Sequence, residues 1–137
     1  MVVLKICYPS SMFAAAVISL TLLALLVVFQ VLLIAGVPIG NFAWGGQHKT
    51  LPRNLRIGSV FSIVIYAFIA ALIVSKAGLW QLIPQGTFLD ITLWVVFAYL
   101  ALGVVMNAIS RSKPERYTMT PVALVLAVCI FVIANGG

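Results

Sequence analysis

His48 is the only imidazole of this 137-residue chain, and Asp90 and Glu115 are its only carboxylates. These three residues bound the chemistry on offer. A His48–Glu115 couple is the one acid/base pair available on a single face of the protein. Paired-carboxylate catalysis would need Glu115 beside Asp90. A single imidazole excludes a bis-histidine haem or a His-rich metal site within one chain. The two cysteines, Cys7 and Cys129, form no C-x-x-C pair, so thiol exchange and a zinc site are both unsupported. Cys129 lies in an apolar run and reads as a small hydrophobe; Cys7, near the N-terminus, suits palmitoylation. The stretch WGGQHKT at residues 44–50 has two glycines, a lysine and a threonine, but not the G-x-x-x-x-G-K-[ST] spacing of a phosphate loop. No cofactor and no metal are expected, and an enzyme is disfavoured though left open.

The remaining candidates are polar side chains in or beside apolar stretches. Gln30, Tyr66, Tyr99 and Asn107 fall inside such stretches. Polar groups in lipid are costly and mark function by default, their plain alternative being hydrogen bonds between helices. Gln30, Asn41, Trp44, His48, Arg53, Arg56, Asn107, Arg111, Glu115 and Arg116 gather toward one end of the molecule. Two readings follow: a positive pocket able to hold an anionic lipid head group, or a solvated basic rim that only enforces topology. Glu115 in the second reading pairs with its arginine neighbours.

The elements that position these residues are membrane spans. The chain is 64% hydrophobic and 7% charged, with mean hydropathy +1.25; a soluble domain carries about 25% charged residues. Four uncharged segments approach the roughly 20 residues of a spanning helix: 12–35, 57–75, 91–110 and 117–135. The fold class is therefore an all-α, polytopic four-helix bundle in a single domain. Span one is longer than the apolar core of a cleaved signal peptide and reads as permanent. Ser10 and Ser11 are candidate caps for span one, Thr87 and Asp90 form a capping-box spacing before span three, and Thr120-Pro121 has the form of an N-cap and first helical residue. Small-residue pairs at Gly58/Ser62, Ala67/Ala71 and Ala123/Ala127 would let helix backbones approach.

The net charge of +6 suggests lipid topology rather than nucleic acid, because the bases flank apolar spans. Lys49, Arg53 and Arg56 lie in loop 36–56, and Arg111, Lys113 and Arg116 lie in or beside loop 111–116; Lys5 and Lys76 fall on the other side. The positive-inside rule puts the six in the cytoplasm and both termini outside. No carboxylate lies within a span, which counts against proton-coupled drug export. The apolar run from Met12 to Ala43 would extend about 48 Å as one helix, too long for a hydrocarbon core of about 30 Å. Gly36 and Pro38 are the breakers, leaving residues 37–44 to lie along the interface or to fold back under cover of protein.

Two patterns then stand out. One is G-x-P-x-G-x-x-x-W-G-G (Gly36, Pro38, Gly40, Trp44, Gly45, Gly46), followed by Leu51-Pro52, Arg56 and Ser59. The other is N-x-x-S-R-S-x-x-E-R-x-x-x-T-P (Asn107, Ser110, Arg111, Ser112, Glu115, Arg116, Thr120, Pro121). Together they resemble a group of small uncharacterised bacterial four-span integral membrane proteins, over about residues 29–131. The resemblance implies a bacterial inner membrane and both motifs on one membrane face, and carries no activity with it. The reading that fits is a non-enzymatic binding or accessory protein whose basic cytoplasmic cap holds anionic head groups, alone, as a homo-oligomer or in a larger membrane complex. A small oligomeric channel or carrier for an anionic or neutral solute is the alternative, and a lipid-modifying enzyme a second.

Overall fold

The computed structural model describes residues 10–136. Four α-helices account for most of them: α1 (Ser10–Ile34), α2 (Arg53–Lys76), α3 (Thr87–Ala108) and α4 (Lys113–Ala134). Each is long and apolar enough to cross a membrane, and no strand occurs among the described residues. The protein is a multi-pass membrane protein built as a four-helix bundle. Large apolar side chains such as Phe13, Leu25, Phe61, Val95 and Leu102 are more than half exposed, as lipid-facing positions must be. Cys7 and Lys5 lie outside the described residues.

Local sequence explains where the helices stop. Gly36 takes φ +91° and closes α1 with a paired hydrogen-bond motif: its own N–H donates to Leu33 (3.1 Å), and the Val37 N–H donates to Leu32 (3.0 Å). A left-handed residue at that position is how helices satisfy their last carbonyls. The overlong apolar run is thus ended by the glycine, two residues ahead of Pro38. Several hydroxyls within the spans find local partners, Ser19 donating to Ala15 at 2.7 Å and Thr21 to Val17 at 2.8 Å, whereas Ser59 and Thr120 are buried without one.

Two capping expectations are corrected. Thr87 is already helical, with Gly86 ahead of it and no side-chain cap. Asp90 instead meets the Lys76 ammonium at 2.6 Å, a charge-assisted bond stronger than a neutral cap. The fourth helix starts at Lys113 rather than near Tyr117. Ser112 is its N-cap and accepts from the Glu115 N–H at 3.5 Å, so Thr120 and Pro121 sit inside the helix.

The bundle is packed unevenly. α3 packs most extensively on α4, α1 on α2, and α1 also on α4, whereas α2 meets α3 and α4 only sparsely. The main core joins Leu23, at the middle of α1, with Ile69, Leu72, Ile73, Leu89, Leu93, Ile130 and Ile133, which lie toward the end opposite the two basic loops. There Ser75 is fully buried, and its Oγ accepts from the N–H groups of Leu82 (3.2 Å) and Ile83 (2.9 Å), pinning the α2–α3 connection. In the other half α2 buries only Ser59 before Ile69, and α3 buries nothing beyond Leu100. The two helices therefore part toward the basic end.

Candidate functional site

The segment between α1 and α2 fills the basic end as a folded cap. Two short 3-10 turns, Gly40–Phe42 and Trp44–Gly46, lie against α4. Leu33, Ala43 and Leu51 form a second small core beneath them, flanked by Phe29, Ile39 and Leu55. Gly40 is there because nothing larger fits. A Cβ on it would stand 2.0 Å from the His48 carbonyl oxygen, and its N–H donates to the Lys49 carbonyl at 2.8 Å. Within residues 37–44, Gly40 and Ala43 are buried, while Pro38, Asn41 and Trp44 are exposed.

The cap joins the two sequence motifs physically. Ser112, the N-cap of α4, donates through its hydroxyl to the Asn41 carbonyl. A Cβ on Gly46, which also has φ +70°, would fall 2.4 Å from the Ser112 Cβ. Trp44 is held at φ +53°, a left-handed conformation that costs a non-glycine residue on the order of 1–2 kcal/mol. Its ring lies over Gly58 of α2, where an added Cβ would stand 2.9 Å from the ring. The small residue expected to receive a neighbouring helix receives an indole instead.

Above the cap, between the parted halves of α2 and α3, lies an open cavity of ≈ 320 Å³. Its polar wall comes from Gln30 of α1, Ser62 and Tyr66 of α2, Tyr99 and Asn107 of α3 and Glu115 of α4; Trp44, Phe29, Phe42, Met106, Met119 and Leu126 supply much of the rest. Gln30 is 7% exposed, and its Oε1 has no hydrogen-bond partner. Tyr66 stands within interaction range of both Gln30 and Tyr99. Glu115 is 8% exposed. Its carboxylate accepts from the Ser110 hydroxyl and has no ion-pair partner, the Lys76–Asp90 pair being the one such contact among the described residues.

Of the ten candidates from sequence, the structure brings Gln30, Trp44, Asn107 and Glu115 into this one wall. Asn41 serves the cap through its carbonyl. His48, Arg53 and Arg111 are exposed at the basic end, and His48 is not among the partners of Glu115. Arg56 is structural: its Nε donates to the Leu51 carbonyl at 2.8 Å, and its guanidinium lies against Gly36, tying the end of α1 to the start of α2. Arg116 stacks over Tyr117 at 5.0 Å. The sequence reading put Glu115 in a loop; S-x-x-E at Ser112–Glu115 with Pro114 between is a helix-start signature and places Glu115 on the helix. Phe42, Met106 and Met119 carry no sequence signal that separates them from lipid-facing neighbours.

Comparison with known proteins gives no match. No family model, no curated protein and no solved structure is significantly similar to this chain. The function must therefore be argued from the cavity. Its volume equals that of roughly ten water molecules at ~30 Å³ each and falls at the lower end of small-ligand sites, about 300–1,000 Å³. Among the described residues no group of His, Cys, Asp and Glu could hold a metal ion. His48 is exposed, and the side-chain partner of Glu115 is Ser110.

Proposed function

We propose that this protein is a non-enzymatic binding protein of the bacterial plasma membrane that holds an amphiphilic molecule in the cavity between α2 and α3. The observation that carries the reading is an open cavity with largely apolar walls to which Tyr66, Tyr99, Asn107 and the buried Glu115 bring polar groups. The parted halves of α2 and α3 offer an apolar tail a sideways route from the bilayer. The exposed Lys49, Arg53, Arg111 and Lys113 face anionic head groups of the surrounding leaflet and hold this end in the cytoplasm. The dry packing of Leu72, Ile73, Leu89, Leu93, Ile130 and Ile133 across the other half weighs against a continuous path, and hence against a channel made by one chain.

Native mass spectrometry of protein extracted in mild detergent tests the reading. One retained amphiphile per chain is expected. Ala123→Phe, which places a ring at a cavity-lining position, should abolish retention without changing helical content. Equal retention by the two proteins, or none by either, overturns it.

A further inference from the structure

The cavity also has a charge character, and it differs from that of the basic rim around it. Among the described residues not one lysine or arginine lines it. Its single formal charge is the Glu115 carboxylate, nine-tenths buried and without a cationic partner. The other polar and aromatic groups of the wall are Gln30, Ser62, Asn107 and the rings of Trp44, Tyr66 and Tyr99, none of them charged. A carboxylate left in a low-dielectric site is stabilised by a cation or by several hydrogen-bond donors, and Glu115 accepts one side-chain bond, from Ser110. Aromatic faces favour cations and add about 0.5–2 kcal/mol each when desolvated. An anionic head group would meet a like charge at Glu115 and no basic side chain in the wall to offset it.

Building on the cavity as a binding site, we propose that its guest carries a hydrogen-bond-donating ammonium head on an apolar tail, with Glu115 as counter-ion and the rings of Trp44, Tyr66 and Tyr99 among its walls. The basic rim and the acidic interior then do separate work. The rim sits among anionic head groups, and the interior selects against them. The ammonium could belong to a membrane lipid with an amino head or to a free long-chain amine; both present the same group to Glu115.

The test uses full-length protein in nanodiscs of phosphatidylcholine and competes four ligands of one chain length: an alkylamine, an alkyl alcohol, an alkyl phosphate and a lysophosphatidylethanolamine. Displacement of a fluorescent alkylamine is the readout. The alkylamine should bind at least about tenfold tighter than the alcohol and the phosphate, the scale of one charge-assisted bond. Glu115→Gln keeps the shape and an acceptor for the Ser110 hydroxyl and leaves the Glu115 N–H bond to the Ser112 N-cap in place, and it should erase that preference. Arg111→Gln, on the exposed rim, should leave it intact. Displacement by the lysophospholipid as well assigns the site to a lipid, and by the alkylamine alone to a free amine. Equal or tighter binding of the phosphate or alcohol, or an unchanged preference in Glu115→Gln, overturns the ammonium assignment while leaving the cavity as a binding site. Binding of none overturns both.

Discussion

Gly40→Ala is the sharpest probe of the cap. The added methyl would lie 2.0 Å from the His48 carbonyl oxygen and 2.8 Å from that of Lys49. A carbon–oxygen contact needs about 3.3 Å, so the 48–49 backbone must retreat by more than an ångström. That movement breaks the 2.8 Å bond from the Gly40 N–H to Lys49. Overpacking of this kind costs about 1–3 kcal/mol and the lost bond about 1 kcal/mol, together about 2–4 kcal/mol. At roughly 2–4 °C per kcal/mol for a chain of this size, the unfolding midpoint should fall by about 5–15 °C. The assay is thermal unfolding in detergent, followed by helical circular dichroism and tryptophan fluorescence. Gly103→Ala is the matched control: Gly103 is helical, lines the same cavity and has nothing within 4 Å of a new Cβ. It should melt at or slightly above the wild-type temperature, since alanine is favoured over glycine in a helix by about 0.5–1 kcal/mol. If Gly40→Ala melts with wild type, the cap is not held against residues 48–49 as described.

Three further outcomes follow from the same geometry. Ser112→Ala removes the N-cap of α4 and the bond to Asn41; it should cost about 1–2 kcal/mol, read as a lower midpoint in the same melts. Asp90→Asn breaks the ion pair with Lys76, but with Asp90 about half exposed the loss should stay within about 1 kcal/mol, and the variant should lose the salt sensitivity of the wild-type midpoint. Gln47→Cys, exposed in the cap, should react with an impermeant thiol reagent only after cells are opened; labelling from outside intact cells would invert the proposed orientation.

The four helices were legible because lipid leaves so few options: long uncharged runs in a chain with few charges can only be spans. Their ends were less so. Hydropathy finds where apolar residues stop, and α2, α3 and α4 each begin with polar or charged residues that extend the helix past the apolar limit, at Arg53, Thr87 and Lys113. Gly36 was readable as a stop because a left-handed terminus needs glycine. Gly40 and Gly46 were visible as a pattern but not as a reason, since their neighbours, His48 and Ser112, are set by how the chain folds back. Glu115 shows the same limit. Its charge suggested an arginine partner nearby in sequence, yet the turn geometry buries it against Ser110 and directs Arg116 onto Tyr117. Burial and partnership are three-dimensional properties, and for a residue at a helix start one position of register decides which side it faces.

The position of the cavity follows from the unequal connections. α3 and α4 are joined by residues 109–112 alone, so they stay paired along their length. The α2–α3 connection is pinned at the far end by the buried Ser75, which draws Ile69–Ala77 onto Leu89–Leu93 there. α1 and α2 are joined by residues 35–52, and that longer segment does not merely turn the chain. It folds under the bundle, binds the start of α4 through Ser112 and lays Trp44 over Gly58. An indole on the inner face of α2 occupies space that a packed α3 or α4 would otherwise fill, so α2 is kept apart at this end while the other end stays closed. On this argument the glycine-rich motif builds the floor of the cavity, and the Ser112–Glu115 turn places the one buried charge in its wall. Neither motif builds the cavity alone; the contact between them, Ser112 on Asn41 and Gly46, sets its floor against its wall.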